Sequence, residues 1–579
     1  MRKNNIKNKK GYYGLLAWSA VMIILISLRN IPKLINIMAW DEIGYWGNGA
    51  YIAGYDWSSV VSTYAGYYSY GYSLIIAVLL KTLGNAHIAY QAAIVINALF
   101  NSGSLLLANY VGIKYFGWNK KYYVLITSII ASIYVNNITQ SNCAWTECEL
   151  IFLYWCLVAL FLSLNTNYNF FKVMAIVIVS IYMYCVHNRT AGIVIASAAT
   201  IGLFAFTRKV PKKDLLALSA IASVIIGIEI ICKMGIKQNV YINKSDTDLV
   251  NTYTAAAPWL ISKFQSLYGI IDLVKTFLNR FLYFGITTFG VFWVFCVYGV
   301  RQIFISVLKK KFDCFLFFVI MSVLGIFGVM TLQLSQSGSY QALLYGRYQD
   351  IVMGPSFLMG MLYLISGLVD SKFIKRYVLA APIVMWLLMI VCKSIPIYSD
   401  YFVTNCNTSL YKFWVGTDQG GYKFEHIFLY SMLLTVIYVL ICFVNSQNRK
   451  MGIILLLFFS INYGVTQVID SNDVFYSFYN DYQDMTDELS NIHEICEDEN
   501  EIFYYNDKDL SITTQIAMWL QLEMYEHKII VVNDLQKVLP GNYVVIPRKR
   551  ISETDYQVSE QPQGKLLSEY KFSALYMVQ

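Results

Sequence analysis

Thirteen stretches of this chain are apolar over roughly the ~20 residues a helix needs to cross a bilayer, and they constrain the fold more than any other feature. They lie at about 12–30, 88–112, 121–138, 146–164, 171–187, 190–206, 214–234, 280–304, 314–334, 348–367, 376–395, 425–444 and 451–467. With 579 residues, 57% of them hydrophobic and only 14% charged, and a mean hydropathy of +0.49, the chain is far from a soluble globular balance. The sequence therefore predicts a polytopic membrane protein. A further apolar run, "GYSLIIAVLLKTL" at 71–83, is too short to span: at ~1.5 Å per residue its helix reaches about 20 Å against a hydrocarbon core of ~30 Å. It reads as a helix lying at the interface.

Orientation follows from the basic residues. With the amino terminus in the cytoplasm, the clusters "KYFGWNKK", "NYNFFK", "TRKVPKK", "RQIFISVLKKK", "DSKFIKR" and "NSQNRK" all fall inside, as the positive-inside rule requires. Counting 71–83 as a span would put Lys209, Lys212, Lys213 and the Lys309 to Lys311 cluster outside. The outer segments are then 31–87, 139–145, 188–189, 235–279, 335–347, 396–424 and everything from about 468. "MRKNNIKNKK" precedes the first run with no small-residue cleavage site, so an uncleaved anchor is expected. The net charge of +8 is explained by these loops, and nucleic acid is not an expected partner. Aromatic residues at 16% suit interfacial belts.

Most of the 11 cysteines (Cys156, Cys185, Cys232, Cys296, Cys314, Cys392, Cys442) sit inside apolar runs and read as small hydrophobes. Cys143, Cys148, Cys406 and Cys496 fall on or near the outer face, yet no spacing pairs them and none suggests a metal site. After 467 the chain turns acidic and polar, which marks a domain boundary. Beyond it, "IFYY" (502–505), "ITTQIAMWLQLEM" (512–524), "KIIVVND" (528–534) and "NYVVIP" (542–547) predict strand, helix, strand and strand, a small α/β module over 468–579.

Chemistry-bearing groups gather on the outer face. "AWDEIGYWGNGAYIAGYDW" at 39–57 places Asp41 and Glu42 just beyond the first span, followed by Gly44, Gly47, Ala50 and Gly54, small residues that suit a juxtamembrane helix packed on the bundle. "NCAWTECELIF" puts Glu147, with Glu149 behind it, at the outer mouth of the fourth span, where an acid normally faces the bundle interior or a wet cavity. "VHNRTAG" sets His187, Asn188 and Arg189 on a tight outer turn. "YGRYQD" sets Arg347 and Tyr348 at the start of the tenth span. Each alone has a plain alternative: a solvated acidic flank for Asp41 and Glu42, a snorkelling anchor for each arginine.

Together they are what a lipid-phosphate sugar donor needs. A phosphodiester at the bilayer surface calls for a guanidinium that grips two oxygens, and an attacking hydroxyl calls for a carboxylate to take its proton. No phosphate-binding glycine loop, zinc site or nucleophile elbow is present to support nucleotide-fuelled or serine-hydrolase chemistry. A transporter or flippase of envelope polysaccharide intermediates is the alternative, but the paired repeats and broken helices of that class are not evident. A membrane scaffold presenting its tail would leave the outer acids without a role.

The first helix followed by "WDEIGYW", the interfacial run leading into "LLKTLGNAHIAYQAAIVINAL", the basic loop "KYFGWNKK" and "GRYQDIVMGPSFLMG" resemble the GT-C superfamily of polyprenyl-phosphate-sugar-dependent glycosyltransferases. The nearest groups are the protein O-mannosyltransferases and the bacterial aminoarabinose transferases. The resemblance implies an all-α polytopic membrane protein of about 13 transmembrane helices, with juxtamembrane helices in the first outer loop and a small α/β extracytoplasmic domain at the carboxyl end. It implies Asp41, with Glu42 beside it, as the catalytic acid pair, Arg347 and Arg189 on the donor phosphate, and Glu147, Tyr348 and His187 around the acceptor cavity. The donor would be a polyprenyl-phosphate sugar and the acceptor an envelope glycan, lipid or protein. Some members use a divalent metal and others do not, and no ligand spacing here decides it. Where relatives carry a proline-containing motif before the interfacial run, this chain has "YYSYGYS".

Overall fold

The computed structural model describes residues 2–579 apart from 35, 39–40, 135–136, 209, 243–257, 259–260, 310, 335–345, 366–370, 394–416, 419–420, 423–451, 508–509, 511, 551–555 and 559. The span read at 425–444, most of the outer segments 335–347 and 396–424, and Cys406 and Cys442 lie outside the described residues. Among the described residues no two cysteines form a disulfide.

Among the described residues seven helices are long and apolar enough to cross a membrane: Lys9–Lys33, Ala86–Phe116, Glu147–Leu164, Asn188–Thr207, Lys212–Val240, Val291–Leu308 and Cys314–Gln333. Phe170–Val186, Asp350–Ile365, Ala380–Cys392 and Ile453–Val465 are apolar but shorter. The chain is a multi-pass membrane protein. In chain order the first elements are α1 (Arg2–Leu28), α2 (Glu42–Ala53), α3 (Ser58–Tyr64), α4 (Gly71–Leu83), α5 (Ala86–Phe116), α6 (Lys121–Ser132), α7 (Asn137–Ser141), α8 (Glu147–Leu164), α9 (Phe170–Val186), α10 (Ala191–Arg208) and α11 (Lys212–Val240). Helix α5 packs against α1, α4, α6 and α8, and α10 lies along the helix Cys314–Leu334. That last pair approaches backbone to backbone, since a Cβ on Gly192 would stand 2.3 Å from the Gly325 carbonyl carbon. Between membrane helices, where apolar burial gives little drive, such close contact is what holds the pair.

Two runs read as continuous are interrupted. The stretch 280–304 is two helices, Leu267–Thr287 and Val291–Leu308, because Phe289 and Gly290 take positive φ values of 47° and 82° and close the first. The stretch 121–138 ends its helix at Ser132 and starts a short new one, α7, at Asn137.

The segment between α1 and α5 folds into α2, α3 and α4. The "LGNAH" between α4 and α5 works as a stop and a start: Gly84 takes φ +59° and the Asn85 side chain caps the next helix by accepting from the Ile88 N–H at 2.9 Å. Helix α4, the run read at the interface, packs along α2.

At the other end of the chain one helix, Gly452–Ile495, runs without interruption for 44 residues, about 66 Å at ~1.5 Å per residue. The acidic stretch after 467 is its second half. A sheet follows, in the order Lys528–Val532, Glu501–Tyr505, Tyr543–Arg550, Ser573–Val578, Gly564–Glu569, with Tyr556–Val558 also paired to Tyr543–Arg550. Glu501–Tyr505 is parallel to both its neighbours, and the pairings beyond are antiparallel. The three strands after 550 had no counterpart in the sequence reading. The helix Thr513–Glu523 lies on the segment between α1 and α5: Trp519 Nε1 and Gln515 Nε2 donate to the Ile37 carbonyl at 2.7 and 3.2 Å, and Trp57 Nε1 donates to the Tyr525 carbonyl at 2.9 Å.

Candidate active site

Four charged side chains from four separate elements form one continuous row. Asp41 stands immediately before α2, Arg347 in the turn after Gly346, Glu147 at the first position of α8, and Arg189 in the single turn Asn188–Thr190 between α9 and α10. Arg347 Nη1 donates to Asp41 Oδ2 at 2.6 Å and Nε to Glu147 Oε1 at 2.7 Å; Arg189 Nη2 donates to the same Glu147 oxygen at 3.0 Å. The Trp145 ring lies under the Arg347 guanidinium at 3.5 Å, and the Tyr348 ring faces Arg189 at 4.8 Å and Arg347 at 5.5 Å.

Local sequence delivers each group. Asp41 is reached by the Tyr68 hydroxyl, which donates to Oδ1 at 2.6 Å. The Tyr68 ring comes that close because Gly44 has no side chain: a Cβ there would stand 2.1 Å from Tyr68 Cδ2. Burial, and then the Asp41 charge, push the Tyr68 hydroxyl well above its ordinary range, so it stays a donor. The segment that carries Trp145 and leads into Glu147 is pinned by asparagines inside the apolar bundle. Asn97 and Asn101 of α5 donate to the carbonyls of Cys143 and Asn137 at 2.7 and 3.0 Å, and Asn142 donates to the Ser27 carbonyl at 2.8 Å. Each of these buried hydrogen bonds contributes about 0.5–1.5 kcal/mol net.

The row has an open and a closed end. The Asp41 side chain is 30% exposed, whereas those of Arg347, Glu147 and Arg189 are 4%, 1% and 0% exposed. Two guanidiniums and two carboxylates balance in charge. Buried charges are tolerated when paired in this way, and losing one partner typically costs ~3–5 kcal/mol. At the closed end Arg189 Nε and Nη1 are buried without an acceptor among the described residues. Buried N–H groups are rarely left so, and two of them on one guanidinium are a ready seat for an anion.

His187 adjoins this end, its ring centroid 6.1 Å from that of Tyr348. Burial, and then the Arg189 and Arg347 charges, hold its imidazole well below the usual pKa, so it is neutral. Its Nδ1 accepts the Arg189 N–H at 3.2 Å, which leaves the ring proton on Nε2.

The structure thus brings Asp41, Glu147, Arg189, Arg347, Tyr348 and His187 into one constellation. It places Glu42 outside the row. That carboxylate is fully buried on the other side of α2, accepting from the Tyr90 hydroxyl at 2.8 Å, the Ala144 N–H at 2.7 Å and the Met38 N–H at 3.0 Å. Adjacent residues on a helix point about 100° apart, and at the start of α2 only one of the pair can face the row. Tyr68 and Trp145 are members that sequence reading missed; the Tyr-rich "YAGYYSYGY" was the only signal for the first. Among the described residues no three His, Cys, Asp or Glu side chains come together to hold a metal ion.

No protein-family model matches the chain, and no curated protein matches it either. Solved structures do. The crystal structure of ArnT from Cupriavidus metallidurans in the apo state covers 98% of this chain and 98% of that one, with 11% identity and a TM-score of 0.50. The same protein bound to undecaprenyl phosphate covers equal shares with 10% identity and a TM-score of 0.49. The archaeal oligosaccharyltransferase AglB from Archaeoglobus fulgidus, in complex with an inhibitory peptide and a dolichol-phosphate, covers 90% of this chain and 64% of that one, with 10% identity and a TM-score of 0.41. The chain shares the fold of ArnT.

Proposed function

We propose that the chain is an inverting glycosyltransferase that moves a sugar from a polyprenyl-phosphate-linked donor to a cell-envelope glycan, lipid or protein. About thirteen spans hold the row of charges at the extracytoplasmic face. The amino terminus is cytoplasmic and residues 468–579 form an extracytoplasmic domain. The observation that carries this reading is the polarity of the row: a carboxylate open to solvent at one end, and two unpaired guanidinium N–H groups of Arg189 at the other. The fold shared with ArnT supports the same class.

In this reading the donor phosphate takes the unpaired N–H groups of Arg189, with Arg347 adding positive charge behind it. The acceptor hydroxyl comes to Asp41. Its oxygen attacks the anomeric carbon from the face opposite the phosphate; the sugar–phosphate bond breaks and the lipid phosphate leaves with the electron pair, while the hydroxyl proton passes to Asp41. Arg189 stabilises the charge that grows on the leaving oxygen. Tyr68 and Arg347 fix the Asp41 carboxylate so that little ordering remains when the acceptor arrives. The neutral His187 can donate from Nε2 to a sugar or phosphate oxygen.

The test is mass spectrometry of envelope glycans, lipids and glycoproteins from cells lacking this gene, followed by turnover of the purified chain with the lipid-linked sugar so identified. A cell envelope unchanged in all three would overturn the reading.

A further inference from the structure

Helix α11 faces lipid over most of its length: only 11% of its most apolar window is buried, and Val224, Ile228, Ile231 and Met234 are exposed. One stripe differs. Glu229, Lys233 and Lys237 recur every four residues and so stand one above another on a single face. That face turns toward the protein. Lys233 Nζ lies 5.5 Å from the centre of the Tyr67 ring and 5.6 Å from that of Tyr184, and Lys237 Nζ lies 5.5 Å from the Tyr67 ring. Tyr67 is itself buried, at 2% exposure. Lysines that merely anchor a helix reach past the lipid toward water. These two reach inward over a buried ring, and among the described residues Lys233 has no carboxylate within bonding distance.

The ring they cover belongs to the active-site loop. Tyr67 is followed by Tyr68, whose hydroxyl donates to Asp41 at 2.6 Å and whose N–H donates to the Tyr241 hydroxyl at 3.1 Å. Tyr241 directly follows α11, so the outer end of that helix and the loop that orients the acid are tied together. With Glu229 counted, the stripe carries one net positive charge, open on its flank to the bilayer and leading inward toward the row. Ionisable groups at membrane depth usually mark the route of a charged ligand.

We propose that Lys233 and Lys237 form a membrane-side port that receives the phosphate headgroup of a lipid before it passes along the Tyr67–Tyr68 loop to Arg189. The proposal rests on the glycosyltransferase reading, since its occupant is the phosphate of the lipid carrier. A lipid that diffuses in the plane of the membrane meets the lipid-facing side of α11 with its headgroup at the level of these two ammoniums, and its apolar chain can stay in the bilayer throughout.

The full chain in phosphatidylcholine nanodiscs is titrated with undecaprenyl phosphate, and bound lipid is counted by native mass spectrometry. Lys233→Gln with Lys237→Gln should weaken binding about thirtyfold, the scale expected for two lysines near a membrane surface. Lys233→Arg with Lys237→Arg should retain most of it. Wild-type affinity in the glutamine pair overturns the port, and so does equal loss in the arginine pair, which would mean packing rather than charge. A second titration with phosphatidylglycerol separates the sources: if the glutamine pair loses that lipid to the same extent and the wild type shows no preference for undecaprenyl phosphate, the lysines hold bulk anionic lipid and the port is overturned. Arg189→Gln keeps the two readings apart. Weak binding there with a normal glutamine pair sinks the port alone; normal binding there with a weak glutamine pair supports the port and removes Arg189 from the donor site.

Discussion

Arg347 and Asp41 stand 306 residues apart in the chain and 2.6 Å apart in space. The same guanidinium turns its Nε to Glu147, so one planar group sets the angle between an exposed carboxylate and a buried one. The exposed acid is therefore oriented from inside the bundle.

If Asp41 takes the acceptor proton, Asp41→Asn should lower turnover by ~10²- to 10⁴-fold, because that is what a general base contributes. The near-isosteric amide still accepts from Tyr68, so donor binding should survive. Turnover and donor affinity of the purified variant check this, and wild-type turnover would reduce Asp41 to a structural ion-pair partner of Arg347.

The two arginines should separate in kinetics. Arg189→Lys removes the N–H groups offered to the donor phosphate and should raise the donor KM. Arg347→Lys keeps a charge but cannot reach both Asp41 and Glu147, so it should lower kcat more than it raises KM. Steady-state kinetics with varied donor decide it; identical behaviour of the two variants would contradict the division of roles.

Glu42→Gln should act on stability. The carboxylate accepts from three donors at Tyr90, Ala144 and Met38, and an amide nitrogen turned toward one of them would leave a buried donor unpaired, at about 1–3 kcal/mol. A lowered Tm with kcat within a few-fold of wild type is the expected pair of results, and a large loss in kcat at unchanged Tm would put Glu42 in the chemistry.

The tail helix should loosen as pH rises. Glu523 accepts from His87 Nε2 at 2.5 Å and meets His493 Nδ1 at 3.4 Å. Burial pushes its carboxyl up, but the bonds from His493 and His87 outweigh that and bring it down to about 2. His493 is raised, chiefly by its bond to Glu523. Its contribution is complete below the unfolded value of 6.5 and is lost as pH rises through the folded one, while that of Glu523 is complete above 4.5 and fails only near 2. Glu488, pushed up to about 7 by burial, works in the same direction: its contribution is complete below 4.5 and is lost as pH rises through about 7. Hydrogen exchange over 513–523, corrected for intrinsic rate, should show more opening at about pH 8.5 than at about pH 6. Equal opening at both would remove the histidines from the contact.

Orientation can be read with an impermeant maleimide. A cysteine at the exposed Lys549 should label from outside in intact cells and one at Lys212 should not. The reverse result would invert the placement of every loop.

What could be read from the sequence, and what could not, divides along physical lines. Asp41, Glu147, Arg189 and Arg347 stood out because a charge at the edge of an apolar run is costly wherever it lies, and so is visible without a structure. Which acid of the Asp41–Glu42 pair faces the row was not visible, because it depends on where α2 starts and on Tyr90, 48 residues further on. Trp145 and Tyr68 were hidden among many aromatics that suit a membrane interface equally well. The buried Asn97 and Asn101 were legible in principle, as amides inside the run 88–112, but nothing in the run names the carbonyls they hold. The break at Phe289 and Gly290 was masked because an apolar run continues across it.

Trp519 and Gln515 hold the Ile37 carbonyl, four residues before Asp41, from 482 and 478 residues away. During synthesis at ~5–20 residues per second the segment bearing the acid waits on the order of half a minute or longer for these partners to be translated. A chain cut short of residue 513 would carry every charge of the row and lack the contact that settles Ile37, four residues before Asp41. The part made later therefore acts as a completeness check on the earlier one: only a chain extended through Trp519 finishes the setting of the segment that bears Asp41.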